Sequence, residues 1–405
     1  MRGFFTRKRF GRPQILAGAL LLVFIAECGW LIAHESSALV SPEEYTRVQE
    51  GLAQWRRGAV AGTPVASKDV AGDLPLRAPV FDAEHSPLWY LIGALPLAIF
   101  RLNLDTAASL WLTRVPYVII GALLGASVWY VSRRLYGNAG GYIALALYCF
   151  SPAVLRNSAL WASQPNVTGA WGTFGAVFTA IAVSHTLYAP REVVLWNWRR
   201  IVLLGVSLAL AIGSQFSLAI ILPVLVASMF YVATERKTAA LAIFSAALGV
   251  AISLLYATYF FHTGLFWHGI TSAIFLNASG RAFVMSGAYL QLGKEIANAG
   301  PVLVLLVPTA LVTYTVWGRS RYFGNSAPLL FAVLFALLRV AAPHTAESVF
   351  TLLTVVFLFV FVAGIGADLL ETKGRELATA LIIGLVSANA VWNVIGLAGI
   401  AHGMR

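Results

Sequence analysis

Charge is what this sequence has least of. Of its 405 residues only 11% are Asp, Glu, Lys or Arg, against about 25% in an ordinary soluble domain. So few charges cannot cover a globule of this size with a wetted surface, and a conventional soluble fold is excluded. Cysteine is nearly missing as well. Cys28 and Cys149 are the only two, and both fall inside apolar segments. Neither a disulfide framework nor a cysteine-based metal site is supported, and packing is their expected role. Internal repeats and low-complexity tracts are also lacking, and no stretch is left over for a separate soluble domain of ordinary size.

What is present is apolar sequence, 59% of the chain. Runs long enough to cross about 30 Å of hydrocarbon recur from end to end, so the bilayer is the solvent for most residues. The expected fold is an all-α, polytopic membrane protein of about 11–13 transmembrane helices, forming one membrane domain over 1–405. The first span, Ile15 to Ala33, follows a basic run and has no clean cleavage site after it, so it is read as a retained helix with a cytoplasmic N-terminus. Further spans are expected near 108–132, 140–157, 161–188, 201–216, 217–234, 238–262, 300–317, 326–342, 349–370 and 377–400. The net charge of +11 would suggest nucleic acid in a soluble protein. Here it sits in short turns: Arg133-Arg134, Arg199-Arg200, Arg236-Lys237, Arg319 with Arg321, and Lys373 with Arg375. Alternating spans place all of these on the cytoplasmic side, so the charge reports orientation in an inner membrane and no nucleic-acid partner is expected. The segment 87–102 is apolar but short, and whether it crosses is left open. Residues 263–299 are expected as a second external, interfacial segment.

The one long polar stretch, 34–86, is placed outside the cytoplasm and holds eight of the 17 acidic residues: Glu35, Glu43, Glu44, Glu50, Asp69, Asp73, Asp82 and Glu84. Its start reads as a helix opening, with Ser41 as N-cap, Pro42 at the first helical position and Glu44 completing a capping box. Tyr45, Val48, Leu52 and Trp55 then fall at helical spacing, with Glu43, Arg47 and Glu50 on another face, which predicts an amphipathic helix lying on the membrane. Glu44 is explained by capping alone. Glu43 is not, and stands between a surface charge and a functional carboxylate. At the loop's exit Asp82, Glu84 and His85 precede the return to the membrane. They suggest a solvated loop end or a divalent-cation site, with spacing that matches no defined metal motif.

The order of these pieces resembles the GT-C glycosyltransferases, in the branch of protein mannosyltransferases and aminoarabinose transferases that take sugars from polyprenyl-phosphate donors. The resemblance covers about residues 10–190. It rests on a membrane helix, an external loop opening with an acidic pair, a Glu-His-Ser-Pro-Leu-Trp-Tyr exit (84–90), Trp-Leu-Thr-Arg-Val-Pro-Tyr (111–117) and Arg-Arg-Leu-Tyr-Gly (133–137). In that family the loop opens Asp-Glu, often with Gly eight residues after the Asp, which acts as catalytic base. Counting back from Gly51 puts Glu43 at the Asp position and Glu44 at the Glu. Ser86-Pro87-Leu88 corresponds to the family's Pro-Pro-Leu, Arg114-Val115-Pro116 to its Arg-Leu-Pro, and Pro165-Asn166 to a later Pro-Asp. Glu43 thus replaces an Asp, and Asn166 an acid.

The resemblance implies sugar transfer from a polyprenyl-phosphate donor to an external lipid, glycan or protein acceptor. Such a reaction needs a carboxylate to deprotonate the acceptor hydroxyl and donors to hold the departing phosphate. Glu43 and Glu44 are the catalytic candidates. Arg114, His85, Arg156, Asn166 and Arg339 are the phosphate or pocket candidates, since an arginine in an apolar segment is costly unless paired or facing a polar cavity. Glu27, inside the first span, is a possible partner for one of these arginines. Two other readings stay open: a non-catalytic GT-C relative, and a secondary transporter or lipid flippase.

Overall fold

The computed structural model describes residues 12–34, 42–57, 82–103, 107–160, 165–188, 198–276, 278–342, 349–372 and 375–402. For Arg12, Pro42, Glu43, Arg57, Ala107, Ala108, Leu110 and Arg375 only the backbone is described. The described residues form α1 (Arg12–His34), α2 (Pro42–Arg57), α3 (Leu88–Phe100), α4 (Ala107–Cys149), α5 (Pro152–Ala159), α6 (Asn166–Thr186), α7 (Trp198–Ser214) and α8 (Ile221–Val232). Then come α9 (Lys237–Thr258), α10 (Thr263–Thr271), α11 (Ser286–Ala299), α12 (Leu303–Val316), α13 (Phe323–Ala341), α14 (Val349–Leu370) and α15 (Arg375–Ala401). Short 3-10 turns precede α8, α11 and α13.

Every apolar segment expected as a span is helical, but they differ in length. Among the described residues seven helices are long and apolar enough to cross a membrane: α1, α4, α6, α9, α13, α14 and α15. An eighth is formed if α11 and α12, bent by 109° at the break between them, count as one broken span. The 13-residue α3, at 1.5 Å per residue, reaches only about 20 Å. That is too short to cross, and Arg101 in the left-handed region closes it. The 43-residue α4 is two helices meeting at Gly137, whose φ of 76° only glycine adopts without strain. The turn beside Arg133-Arg134 falls between the spans expected at 108–132 and 140–157. The second arm stops at Cys149, and Ser151 caps the separate α5.

Two compact units share the chain, with boundaries at 40/41, 116/117, 170/171 and 276/277, the middle two falling inside α4 and α6. One unit comprises 1–40, 117–170 and 277–405. At its centre α14 is buried from Val349 to Ala367 and apolar all round, as a helix surrounded by helices must be. Phe331 and Phe335 of α13 stack on Phe350 and Phe357 of α14. The basic turns of this unit gather at one end: Arg319 pairs with Glu371 at 2.7 Å, and the Tyr136 hydroxyl donates to the Gly324 carbonyl.

The second unit comprises 41–116 and 171–276. Its helices approach closely at small residues, the usual device where lipid supplies no hydrophobic drive. A Cβ on Gly172 would lie 2.4 Å from the Ala211 amide nitrogen, and one on Gly205 2.6 Å from the Ala247 carbonyl. The same device seats α2 on α3. Gly51 meets the Tyr90 carbonyl so closely that a Cβ would lie 2.4 Å from it, while Val48 and Leu52 pack on Ala94 and Leu97. The amphipathic helix of the loop is therefore present, but the apolar partner of Val48 and Leu52 is α3. Tyr45 and Trp55, expected on that stripe, are partly exposed. Trp55 still anchors by donating its indole N–H to the Leu91 carbonyl at 2.8 Å.

Because the Gly51 contact is backbone to backbone, Gly51→Leu should pry α2 from α3. The expected cost is of the order of 1–3 kcal/mol, read as a lower melting temperature of the detergent-solubilised protein. Gly18→Leu, at a glycine with nothing within 4 Å, should leave it unchanged.

Candidate active site

The first turns of α2 organise the polar groups of its unit. Glu44 and Arg114 form a bidentate pair, with Nε to Oε1 and the terminal nitrogen to Oε2 both at 3.0 Å. Each residue is only 1% exposed. The planar guanidinium fork matches both carboxylate oxygens at once, and the Glu44 end lies in the first turn of α2, where the helix dipole favours an anion. Separated by 70 residues in sequence, the two fasten the start of the loop helix to the first turns of α4.

One turn further along α2, Arg47 reaches across to the loop exit. It pairs with Glu50 at 3.2 Å and lies 3.6 Å from Asp82. Asp82 accepts from the His85 ring at 3.0 Å and from the backbone N–H groups of Glu84 and His85. Burial alone would raise the Asp82 carboxyl, but the His85 hydrogen bond and charge, the Glu84 amide and Arg47 together hold it below its ordinary 3.8. The segment is also stitched to the rest of its unit. Ser86 donates its hydroxyl and its amide to the Gly213 carbonyl, Phe216 donates to Glu84, and Ile274 donates to Ala83.

The candidates named from sequence therefore separate. Glu44 and Arg114 meet, and His85 joins α2 one turn away through Asp82 and Arg47. Glu43 occupies the helical position before Glu44, and its side chain lies outside the described residues, as do the Ser41 cap and the rest of the loop at 58–81. In the other unit, Asn166 is 2% exposed and donates to the Asn157 side chain at 2.9 Å. Arg339 is held bidentately by Glu295 at 2.6 and 3.1 Å, and Thr351 donates to the same carboxylate. Glu27 receives Asn393 at 3.4 Å and pairs with no arginine among the described residues. Arg156 lines a cavity and is treated below.

Two expectations change. Glu44, assigned to capping or catalysis, has both oxygens engaged by Arg114, whose own fork is correspondingly occupied. Asp82 and Glu84, the suggested cation ligands, do not assemble a shell. Asp82 is turned into a hydrogen-bonded turn facing a histidine and an arginine, and no group of three His, Cys, Asp or Glu residues suited to a metal occurs among the described residues. Sequence reasoning missed Arg47, whose link to Asp82 joins two ends of a long loop. No spacing rule exposes such a contact.

Solved structures share this architecture. ArnT from Cupriavidus metallidurans in its apo state superposes with a TM-score of 0.62 over 96% of this chain and 70% of that one, at 14% identity. The fold is that of the GT-C glycosyltransferases. The same ArnT bound to undecaprenyl phosphate matches at TM-score 0.58 and 12% identity, covering 96% and 71%. The oligosaccharyltransferase AglB from Archaeoglobus fulgidus, in complex with an inhibitory peptide and a dolichol-phosphate, matches at TM-score 0.59 and 13% identity, covering 96% of this chain and 56% of that one. The chain thus spans about half the length of the oligosaccharyltransferases it matches. No protein-family model matches it, and no curated protein matches it in sequence.

Removing one partner of a buried pair leaves an uncompensated charge, so Arg114→Ala should cost about 3–5 kcal/mol. Glu44→Leu combined with Arg114→Met removes both charges and should recover most of that loss, as measured by melting of the purified protein. The Asp82 network has a pH signature. Since the folded carboxyl titrates below 3.8, its contribution is complete above that value and is lost as pH falls through the lower folded one. Melting temperatures taken from pH 6 down to pH 2 should fall more steeply for the natural protein than for Asp82→Asn. Parallel curves would remove Asp82 from the acid response.

Proposed function

We propose that this chain is an inner-membrane glycosyltransferase that moves a sugar from a polyprenyl-phosphate donor to an acceptor at the external face, with Glu43 as the general base. The observation that carries the reading is a fold shared over 95–96% of the chain with ArnT and AglB, which have been solved with undecaprenyl phosphate and with a dolichol-phosphate. The pinning of α2 supports it further. Glu44 and Arg114 hold the first turn of the helix, and Glu43 belongs to that turn.

In the proposed step Glu43 takes the proton of the acceptor hydroxyl, and the acceptor oxygen bonds to the anomeric carbon. The bond from that carbon to the phosphate oxygen breaks, and its electron pair leaves with the phosphate. The Glu44–Arg114 pair is assigned a positioning role: it sets where α2 begins and does not touch the reacting atoms.

Transfer from polyprenyl-phosphate sugars should fall about 100- to 10,000-fold in Glu43→Gln, the usual worth of a general base, with unchanged expression and melting. Glu43→Asp should shift the rate by about 100-fold, since it moves the carboxylate by about 1.5 Å. Undiminished transfer by Glu43→Gln would remove this residue from the mechanism. Absence of transfer by the natural protein with any polyprenyl-phosphate sugar would favour the non-catalytic relative.

A further inference from the structure

Among the described residues, the first and last of the membrane-length helices are joined by a polar contact that is incomplete. Glu27 of α1 is 7% exposed and Asn393 of α15 is 1% exposed. The Asn393 amide donates to Oε2 of Glu27 at 3.4 Å, near the outer limit of a hydrogen bond. Oε1 of Glu27 and the carbonyl oxygen of Asn393 are both buried, and neither has a hydrogen-bond partner among the described residues.

An ionised carboxylate only accepts hydrogen bonds, and an oxygen left unmet away from water is costly. No counter-ion stands at this one. Cys28, beside it on α1, and Cys149, at the end of α4, are buried free thiols, and Tyr148 spends its hydroxyl on the Gly121 carbonyl at 2.6 Å. His34 lies two turns further along α1, its ring bonded to the Trp30 carbonyl. On α4, Arg133 and Arg134 lie beyond the bend at Gly137. Arg156 of α5 lines a cavity of about 240 Å3 to which Asn393 also contributes, and it forms no ion pair with Glu27. The ionisable groups near the ends of α15, Arg375, Glu376 and His402, stand about 13 Å or more along the helix axis from Asn393.

We propose that Glu27 is a proton-binding site: in the folded protein its carboxyl is neutral and pairs with the Asn393 amide through two hydrogen bonds. A carboxylic acid and a primary amide each present a donor beside an acceptor. The amide N–H therefore meets one carboxyl oxygen while the carboxyl O–H meets the amide carbonyl, and one proton satisfies both orphaned oxygens. A carboxylate in this place would instead be an unpaired charge inside a membrane helix. The proton acts as a clasp between α1 and α15, whose paired residues are 366 apart in sequence, and its loss charges and weakens their contact. The inference is independent of sugar transfer, in which Glu27 has no part.

The test is infrared spectroscopy of the full-length protein in detergent at pH 6, where an ordinary glutamate is ionised. The difference spectrum between the natural protein and Glu27→Gln should contain the carbonyl stretch of a protonated carboxyl, lost in the variant. Carboxylate stretches in its place overturn the proposal. A glutamine amide reproduces the two-bond pairing, so Glu27→Gln should melt like the natural protein at pH 5. Unfolding releases the proton above the ordinary glutamate range, so raising the pH from 5 to 9 should lower the melting temperature of the natural protein more than that of the variant. Parallel curves overturn the proposal as well. If Glu27→Gln does not fold, Asn393→Leu carries the test: the carboxyl band should move to higher frequency as the acid loses its amide acceptor, and an unmoved band counts against the pair.

Discussion

A bidentate ion pair with both members withdrawn from solvent holds the first loop helix, α2, in place. Burial makes such a pair an all-or-none constraint. Complete, it roughly balances the cost of desolvating two charges, whereas half of it leaves a charge stranded in an apolar surround. What the Glu44–Arg114 pair provides is therefore better described as register than as stability. It admits one position of α2 along α4, and the backbone contact at Gly51 and the indole anchor of Trp55 then settle α2 against α3. The weaker, partly exposed links from Arg47 to Asp82 and Glu50 add to a placement already fixed.

Consecutive positions on an α-helix lie about 100° apart, so two adjacent carboxylates cannot serve one face. Under the proposed function, the acidic pair at the opening of α2 divides two tasks. Position 44 faces the protein interior and is consumed by Arg114. Position 43 shares its face with 47 and 50, the side on which Arg47 and Glu50 remain partly open.

The apolar periodicity made the long helices legible, including the one inside the polar loop, because burial against lipid or protein leaves the same pattern in sequence; α10 and α11, inside the mixed-polarity segment 263–299, carry no such pattern and were not foreseen as helices. Length was less legible. The segments at 201–216 and 217–234 become helices of 17 and 12 residues, α7 and α8, and neither reaches the seven full-length spans' dimension. Composition does not report where a helix stops when a 3-10 turn, here Phe216–Ile220, continues the apolar run. In the site, Glu44 had a sufficient local explanation as a capping residue, and that explanation concealed a partner 70 residues away. Arg114 was singled out because its charge was costly where it stood. What its cost implied, a buried partner, is what the structure supplies, but no rule of spacing names which acid.

The same cost argument separates the remaining arginines. An intramembrane cation must be met by something, and the chain meets Arg339 with Glu295, reinforced by Thr351 and Gln291, which donates to the same carboxylate at 3.1 Å. Glu27, the acid inside the first span, has no arginine beside it among the described residues and takes a hydrogen bond from Asn393 at 3.4 Å instead. These two acids are therefore answered differently: the one opposite a cation is held by charge and hydroxyl together, and the one without a cation by a neutral amide.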